Sequence, residues 1–169
     1  MRKIQIFAMT ILLSVGAAMA AEVPQAGQMA PGVTLPSQDG KPVSLKDYSG
    51  KWIVLYFYPK DMTQGCTIEA HNFQRDLPKY DQANAVILGV SVDSVDSHKE
   101  FCAKDSLTFK LLSDTDKKVV DSYGSLRPNG VAARNTFLID PKGKISKVWT
   151  GVNPNPHSEE VLAALGAAK

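Results

Sequence analysis

Two stretches of the chain are apolar at every position rather than at alternate ones. Residues 52–58 (WIVLYFY) and 85–92 (AVILGVSV) are runs of β-branched and aromatic residues, the pattern of strands buried on both faces. Gly50 and Pro59 bound the first run. Between the two, the pattern changes to helical spacing through Ile68, Phe73 and Leu77, which predicts a helix over about 64–80 with Pro78 near its end. After the second run, Asp93 and Ser94 can cap a helix over roughly 95–104. Leu111 and Leu112 begin a short strand, and a third helix over 117–123 stops at Gly124. Residues 125–132 are a loop containing Pro128-Asn129-Gly130. Residues 135–140 (NTFLID) and 144–150 are strands joined by Asp140-Pro141-Lys142-Gly143, with proline and glycine where a tight turn wants them.

The two ends are simpler. Short apolar pieces at 33–35 and 42–45 flank Gln38-Asp39-Gly40-Lys41, and Asp-Gly between such pieces predicts a hairpin. Residues 21–31 have no periodicity and are expected to form a mobile arm. Beyond the linker at 153–156, Ser158 is expected to cap a final helix with Glu159 and Glu160 in its first turn and Val161, Leu162 and Leu165 on its apolar side. The order is hairpin, β, α, β, α, α, β, β, α. This predicts an α/β fold, a thioredoxin-like three-layer sandwich with an N-terminal β-hairpin extension.

Residues 1–20 change the domain picture. Arg2 and Lys3, an apolar stretch over 4–15 and the terminal Ala18-Met19-Ala20 have the form of a secretory signal with an A-x-A cleavage site. The expected organisation is a signal peptide at 1–20 and one domain at 21–169, exported to the periplasm or secreted after cleavage following Ala20. The apolar stretch is too short for an anchored span. The chain has 19 Lys+Arg and 17 Asp+Glu, and two of the 19 are Arg2 and Lys3, so the mature chain carries 17 of each sign. With no basic stripe left, neither nucleic acid nor an anionic membrane is an expected partner.

Chemistry enters with the cysteines, Cys66 and Cys102, the only two in the chain. An exported protein can join two cysteines in a permanent staple, and that reading stays open beside a redox pair. Cys66 has the setting of a reactive sulfur. It follows the first apolar strand and the Pro59 turn, and Thr63 is a plausible N-cap that puts Cys66 in the first turn of a helix. There, unpaired N–H groups and the helix dipole favour a thiolate, and a Thr63 hydroxyl three residues away could bond to the sulfur or to an oxygen-bearing substrate.

Pro59, Thr63 and Cys66 stand as PxxxTxxC, which resembles the active-site motif of peroxiredoxins. The surrounding YFYPKDxTxGCTxEA is similar to the PrxQ subfamily, also called bacterioferritin comigratory protein, and the likeness extends through SHKEFCAKDSLTFKLLSD and ARNTFLIDPKGKI. The resemblance implies a monomeric thiol peroxidase without a cofactor. Its substrates would be hydrogen peroxide and organic hydroperoxides, and a thioredoxin-like donor would recycle it. Cys66 would attack peroxide, Pro59 would shield the sulfur, and Arg134, by composition an ordinary surface arginine, would order the thiolate and peroxide.

The PrxQ arrangement with a resolving cysteine five residues after the first is not met, because that position is His71. Another branch carries it in the following helix, which Phe101-Cys102-Ala103 resembles, so a Cys66–Cys102 disulfide is implied. Two helices of one sandwich do not normally bring Cα atoms within the ~4.4–6.8 Å of a disulfide, so local unwinding around Cys66 is expected in each cycle. Gln64 replaces a proline common at its position in the family. His71, His98 and His157 have no metal-ligand spacing with cysteine, and no metal is assigned. Glu69 could pair with a nearby cation or sit on a solvated helix face, and the second reading is preferred.

Three rival readings make different demands on the residues. A thiol:disulfide oxidoreductase needs Cys-X-X-Cys, and position 69 is Glu; a copper-binding assembly factor needs Cys-X-X-X-Cys, and position 70 is Ala. A thioredoxin-fold binding module with a structural Cys66–Cys102 bond is the third.

Overall fold

The computed structural model describes residues 21–168, so the signal-peptide expectation lies outside the described residues. In chain order the strands are β1 (Thr34–Pro36), β2 (Pro42–Ser44), β3 (Trp52–Phe57), β4 (Ala85–Ser91), β5 (Lys110–Ser113), β6 (Asn135–Ile139) and β7 (Ile145–Trp149). The α-helices are α1 (Gln64–Gln82), α2 (Val95–Asp105), α3 (Lys118–Ser122) and α4 (His157–Ala167). β1 and β2 form the expected hairpin, and the other five strands form one sheet in the order β5-β4-β3-β6-β7. β3 runs parallel to β4 and antiparallel to β6, and β4 runs parallel to β5.

The alternation along β3 sorts the core into two layers. Val54, Tyr56 and Tyr58 join α1, α2 and α4 through Phe73, Tyr80, Phe101, Val161 and Leu165. Ile53, Leu55 and Phe57 face the opposite way, toward Val119 and Val120 of α3, Tyr123 just after it, and Val33 and Val43 at the hairpin. This is the thioredoxin-like sandwich. Both cysteines are buried in the first layer.

Three expectations are corrected. Residues 21–31 are not a mobile arm: Gly27 N donates to Ile145 O (2.8 Å), Ile145 N to Gln28 O (2.9 Å) and Ala30 N to Gly143 O (2.9 Å). β7 is an edge strand with free backbone groups, and an irregular segment can satisfy them without any hydrophobic period. Gly124 (φ +57) allows the crossing, because a Cβ there would lie 2.6 Å from Val23 N. The other edge, β5, is covered by the hairpin turn, where Gln38 N donates to Leu111 O (3.1 Å) and Leu111 N to Gln38 Oε1 (3.0 Å).

Ser158 does not cap α4, which starts at His157 with Pro156 at the N-cap. Ser158 is buried instead; its hydroxyl donates to Asp76 Oδ2 (2.9 Å) and its carbonyl accepts from Tyr80 OH (2.8 Å). The buried face of α1 is Cys66, Glu69, Ala70, Phe73, Asp76 and Tyr80, while Ile68 and Leu77 are only half-buried. Polar residues lie on the inner face because each has a partner there, which a hydrophobic pattern does not register.

Gly89 of β4 is the closest-packed point of the first layer. A Cβ there would lie 2.7 Å from Leu111 Cδ2 and 2.8 Å from the Tyr56 ring, which packs against Tyr58, Phe73 and Phe109 and has nowhere to retreat. Gly89→Ala is expected to destabilise the fold by about 1–3 kcal/mol, the usual cost of overpacking, as read by urea unfolding.

Candidate active site

The site lies where β3 ends and β6 begins, because the antiparallel register pairs Phe57 with Asn135. The loop from Tyr58 to Thr63 therefore leaves the sheet beside Arg134, the residue just before β6. Half-buried Pro59 follows the strand, and Met62 takes a left-handed φ of 56° before Thr63 returns to extended geometry at the N-cap of α1.

Thr63 is the N-cap by backbone alone. Its hydroxyl donates to Lys60 O (3.0 Å) and closes the turn, with no side-chain bond to the helix. The expected Thr63 contact with the sulfur is not formed; the hydroxyl proton is already committed, and its oxygen keeps only acceptor capacity. The first intrahelical bond of α1 runs from Thr67 N to Thr63 O (2.9 Å). The N–H groups of Gln64, Gly65 and Cys66 therefore have no partner within the helix. Cys66, 2% exposed, sits in that turn.

Arg134 reaches over the same turn. Its Nη2 donates to Cys66 Sγ (3.4 Å) and its Nη1 to Glu69 Oε2. Gly65 makes the approach possible, since a Cβ there would lie 3.2 Å from Nη2. The Arg134 carbonyl accepts from Val152 N (2.9 Å), and Asn72 Nδ2 holds the following linker through Pro154 O (3.1 Å) and Asn155 O (3.0 Å). Burial works against the guanidinium charge, but Glu69 and Cys66 outweigh it and hold Arg134 above its ordinary value.

Glu69 is not a solvated helix residue. It is 1% exposed, and burial pushes its carboxyl up to about 7 against the pull of Arg134, with Oε1 lacking any partner. It is the site residue that sequence reasoning missed. Its position three residues after Cys66, on the same helical face, was the available signal. His71 is exposed and points elsewhere, with Nε2 2.9 Å from Asp105 Oδ1 at the end of α2.

Cys102 lies in the same buried cluster as Cys66, and both are free thiols. Burial raises the Cys102 thiol to about 11. In this arrangement Cys102 is protonated near neutral pH and a poor nucleophile. The geometry thus brings Cys66, Arg134 and Glu69 into direct contact, sets Thr63 and Pro59 in the loop beside them, and leaves Cys102 on the neighbouring helix.

Residues 26–148 match the model of the AhpC/TSA family. The chain belongs to that family. Peroxiredoxin Bcp of Bacillus subtilis is 43% identical over 147 residues, covering 82% of this chain and 93% of the relative. A cysteine-to-serine mutant of Xylella fastidiosa PrxQ superposes with a TM-score of 0.82 at 36% identity, over 88% of this chain and 98% of that one. The Xanthomonas campestris bacterioferritin comigratory protein gives 0.79 at 37% identity, over 88% and 98%. Within the AhpC/TSA family these relatives place the chain in the Bcp/PrxQ branch, and the fold is theirs.

In this family member the Arg134–Cys66 contact has a measurable consequence. A hydrogen bond to a charged group is worth about 1.5–3 kcal/mol, so Arg134→Met in a Cys102→Ser background should slow alkylation of Cys66 at a fixed neutral pH by about tenfold or more. An unchanged rate would show that Arg134 does not contribute to the reactivity of this sulfur.

Glu69 predicts a stability effect of defined sign. Its folded-state value of about 7 lies above the 4.5 of an ordinary glutamate, so the folded protein binds the proton more tightly. That contribution is complete below pH 4.5 and is lost as pH rises through 7, on the order of 3 kcal/mol. Urea unfolding at stepped pH should show this decline in the wild type and a flatter profile in Glu69→Gln.

Proposed function

We propose that the chain reduces hydrogen peroxide and organic hydroperoxides through Cys66, with Cys102 as the resolving thiol. The observation that carries this reading is the Arg134 Nη2 donor at 3.4 Å from a sulfur in the first turn of a helix. Peroxide cleavage needs an ionised sulfur, an aligned O–O bond and a stabilised leaving oxygen. The guanidinium and the first-turn N–H groups supply the charge stabilisation. The Thr63 oxygen, a free acceptor, can take a hydrogen bond from the peroxide O–H. The X. campestris relative is described in terms of alkyl peroxide reduction activity, which supports extending the substrate class to organic hydroperoxides.

The steps balance. The Cys66 thiolate attacks one peroxide oxygen, an S–O bond forms as O–O breaks, and the leaving alkoxide or hydroxide takes up a proton to give alcohol or water. Cys66 becomes a sulfenic acid. The Cys102 sulfur then attacks the Cys66 sulfur, forming S–S and releasing water. A dithiol donor of thioredoxin type reduces the disulfide by exchange and is itself oxidised. Buried and protonated, Cys102 must leave its present surroundings for the second step, so local opening of a helix accompanies each turnover.

We further propose that residues 1–20 are a cleaved export signal, that residues 21–169 act as a monomer, and that the site of action is the periplasm or the exterior. The Arg2-Lys3, apolar and Ala18-Met19-Ala20 order supports the first point, as does a family match that begins only at residue 26. Intact mass of protein from the exported fraction tests it, with Ala21 as the expected first residue.

For the chemistry, one equivalent of peroxide added to the reduced mature protein should remove two thiols. Cys102→Ser should stop at a sulfenic acid on Cys66, and Cys66→Ser should not react. Thiols that react with peroxide no faster than free cysteine would overturn the proposal.

A further inference from the structure

The loop that presents Cys66 and the helix that carries Cys102 are joined by a buried polar cluster that peroxide cleavage does not use. Its centre is Asp61, two residues before Thr63 and 4% exposed. Asp61 Oδ1 accepts from Tyr58 OH (2.7 Å), and Oδ2 accepts from Ser97 Oγ (2.7 Å) and from His98 Nδ1 (2.8 Å). Asp61 N donates to Asp93 Oδ2 (3.0 Å), whose residue immediately precedes the Ser94 N-cap of α2. His98 is fully buried, and its Nε2 has no partner, so the Asp61 bond is its one strong polar contact. A longer contact of 3.4 Å joins its Nδ1 to Tyr58 OH.

A buried carboxylate is tolerated only while its donors stay in place. Burial alone would raise the Asp61 carboxyl; the bonds from His98, Tyr58 and Ser97 hold it below its ordinary value. His98 and Cys102 are four residues apart on α2, one turn along the same face. The other end of α2 is held differently. It closes on Ser106 in the left-handed region (φ 53°), where a non-glycine residue is strained, with Ser106 N and Leu107 N capping Cys102 O, and its side-chain ion pair to α1 is His71–Asp105, in which His71 is exposed. One turn before Cys102 the helix is therefore tied to the Cys66 loop by a buried charged cluster, whereas one turn after it the helix ends in a capped turn that does not touch that loop.

We propose that His98, acting through Asp61, is a positioning residue that locks the Cys66 loop to the Cys102 helix and thereby sets the rate of disulfide closure. The inference rests on the Cys66–Cys102 cycle proposed above. His98 touches neither sulfur nor peroxide; it controls how readily the turn bearing Cys102 lets go. The remaining Tyr58 and Asp93 bonds keep the Asp61 loop in place when His98 is changed.

The test is rapid-quench thiol trapping with intact-mass readout, which separates the peroxide-dependent phase (Cys66 oxidation) from the peroxide-independent phase (closure). His98→Leu should accelerate closure about tenfold, the effect of losing one hydrogen bond to a charged group, and leave the peroxide-dependent phase unchanged. His98→Asn, whose amide can replace the Nδ1 donor, should return closure to the wild-type rate. Should His98→Leu not fold, Ser97→Ala removes a neighbouring donor to the same oxygen and should shift closure in the same direction by a smaller factor. Normal wild-type closure with an unchanged rate in the folded variants, or with both phases slowed together, would overturn the role of His98. Absence of any wild-type disulfide would instead overturn the Cys66–Cys102 cycle and this inference with it.

Discussion

One guanidinium divided between a sulfur and a carboxylate is the constraint on which the site depends. Arg134 spans Cys66 and Glu69, side chains one helical turn apart; the two helix residues are nearly excluded from water and the arginine is part-buried. In such surroundings a charge without a partner is costly, so the three groups stabilise one another or none is tolerable. The rest of the structure can be understood as what this arrangement requires. The β3–β6 register brings Arg134 to the start of α1, Gly65 leaves room for it, and Asn72 holds the linker that closes over it.

The two cysteines share a buried cluster but have different settings. Cys66 has a cationic donor and unpaired backbone N–H groups, the features that favour a thiolate. Cys102 has burial and no cationic donor, and its thiol is raised to about 11. This asymmetry fits the proposed order of chemistry, in which Cys66 meets peroxide in the folded state and the buried Cys102 takes part once the helix around it opens. A helix with a buried anchor at one end and a strained cap at the other is suited to give way over part of its length.

Local chemistry made much of this legible from the residues alone. Continuous apolar runs, Asp-Gly and Pro-X-Gly turns, and the Pro59, Thr63 and Cys66 spacing depend on neighbours close in sequence, and they led to the strands, the hairpins and the placement of Cys66 in the first turn of a helix. Arg134 was singled out only through the resemblance to PrxQ proteins. The misreadings share a cause. Residues 21–31 have no period because their bonds are to the backbone of β7. Ser158 serves Asp76 and Tyr80 rather than its own helix end, and the Thr63 hydroxyl serves Lys60 rather than the sulfur.

What the sequence determined by itself is the order of elements and the thioredoxin-like class, and it singled out Cys66 as the candidate nucleophile, because helix and strand periods, turn chemistry and a thiol at a helix start are local properties. Tertiary structure alone decided that Glu69 and Asp61 are buried and that one arginine serves two groups. It also decided that the two cysteines lie in one layer yet in opposite electrostatic settings. Burial and charge pairing depend on residues far apart in sequence, and whether an acidic side chain is solvated or enclosed follows from the partner that folding brings to it.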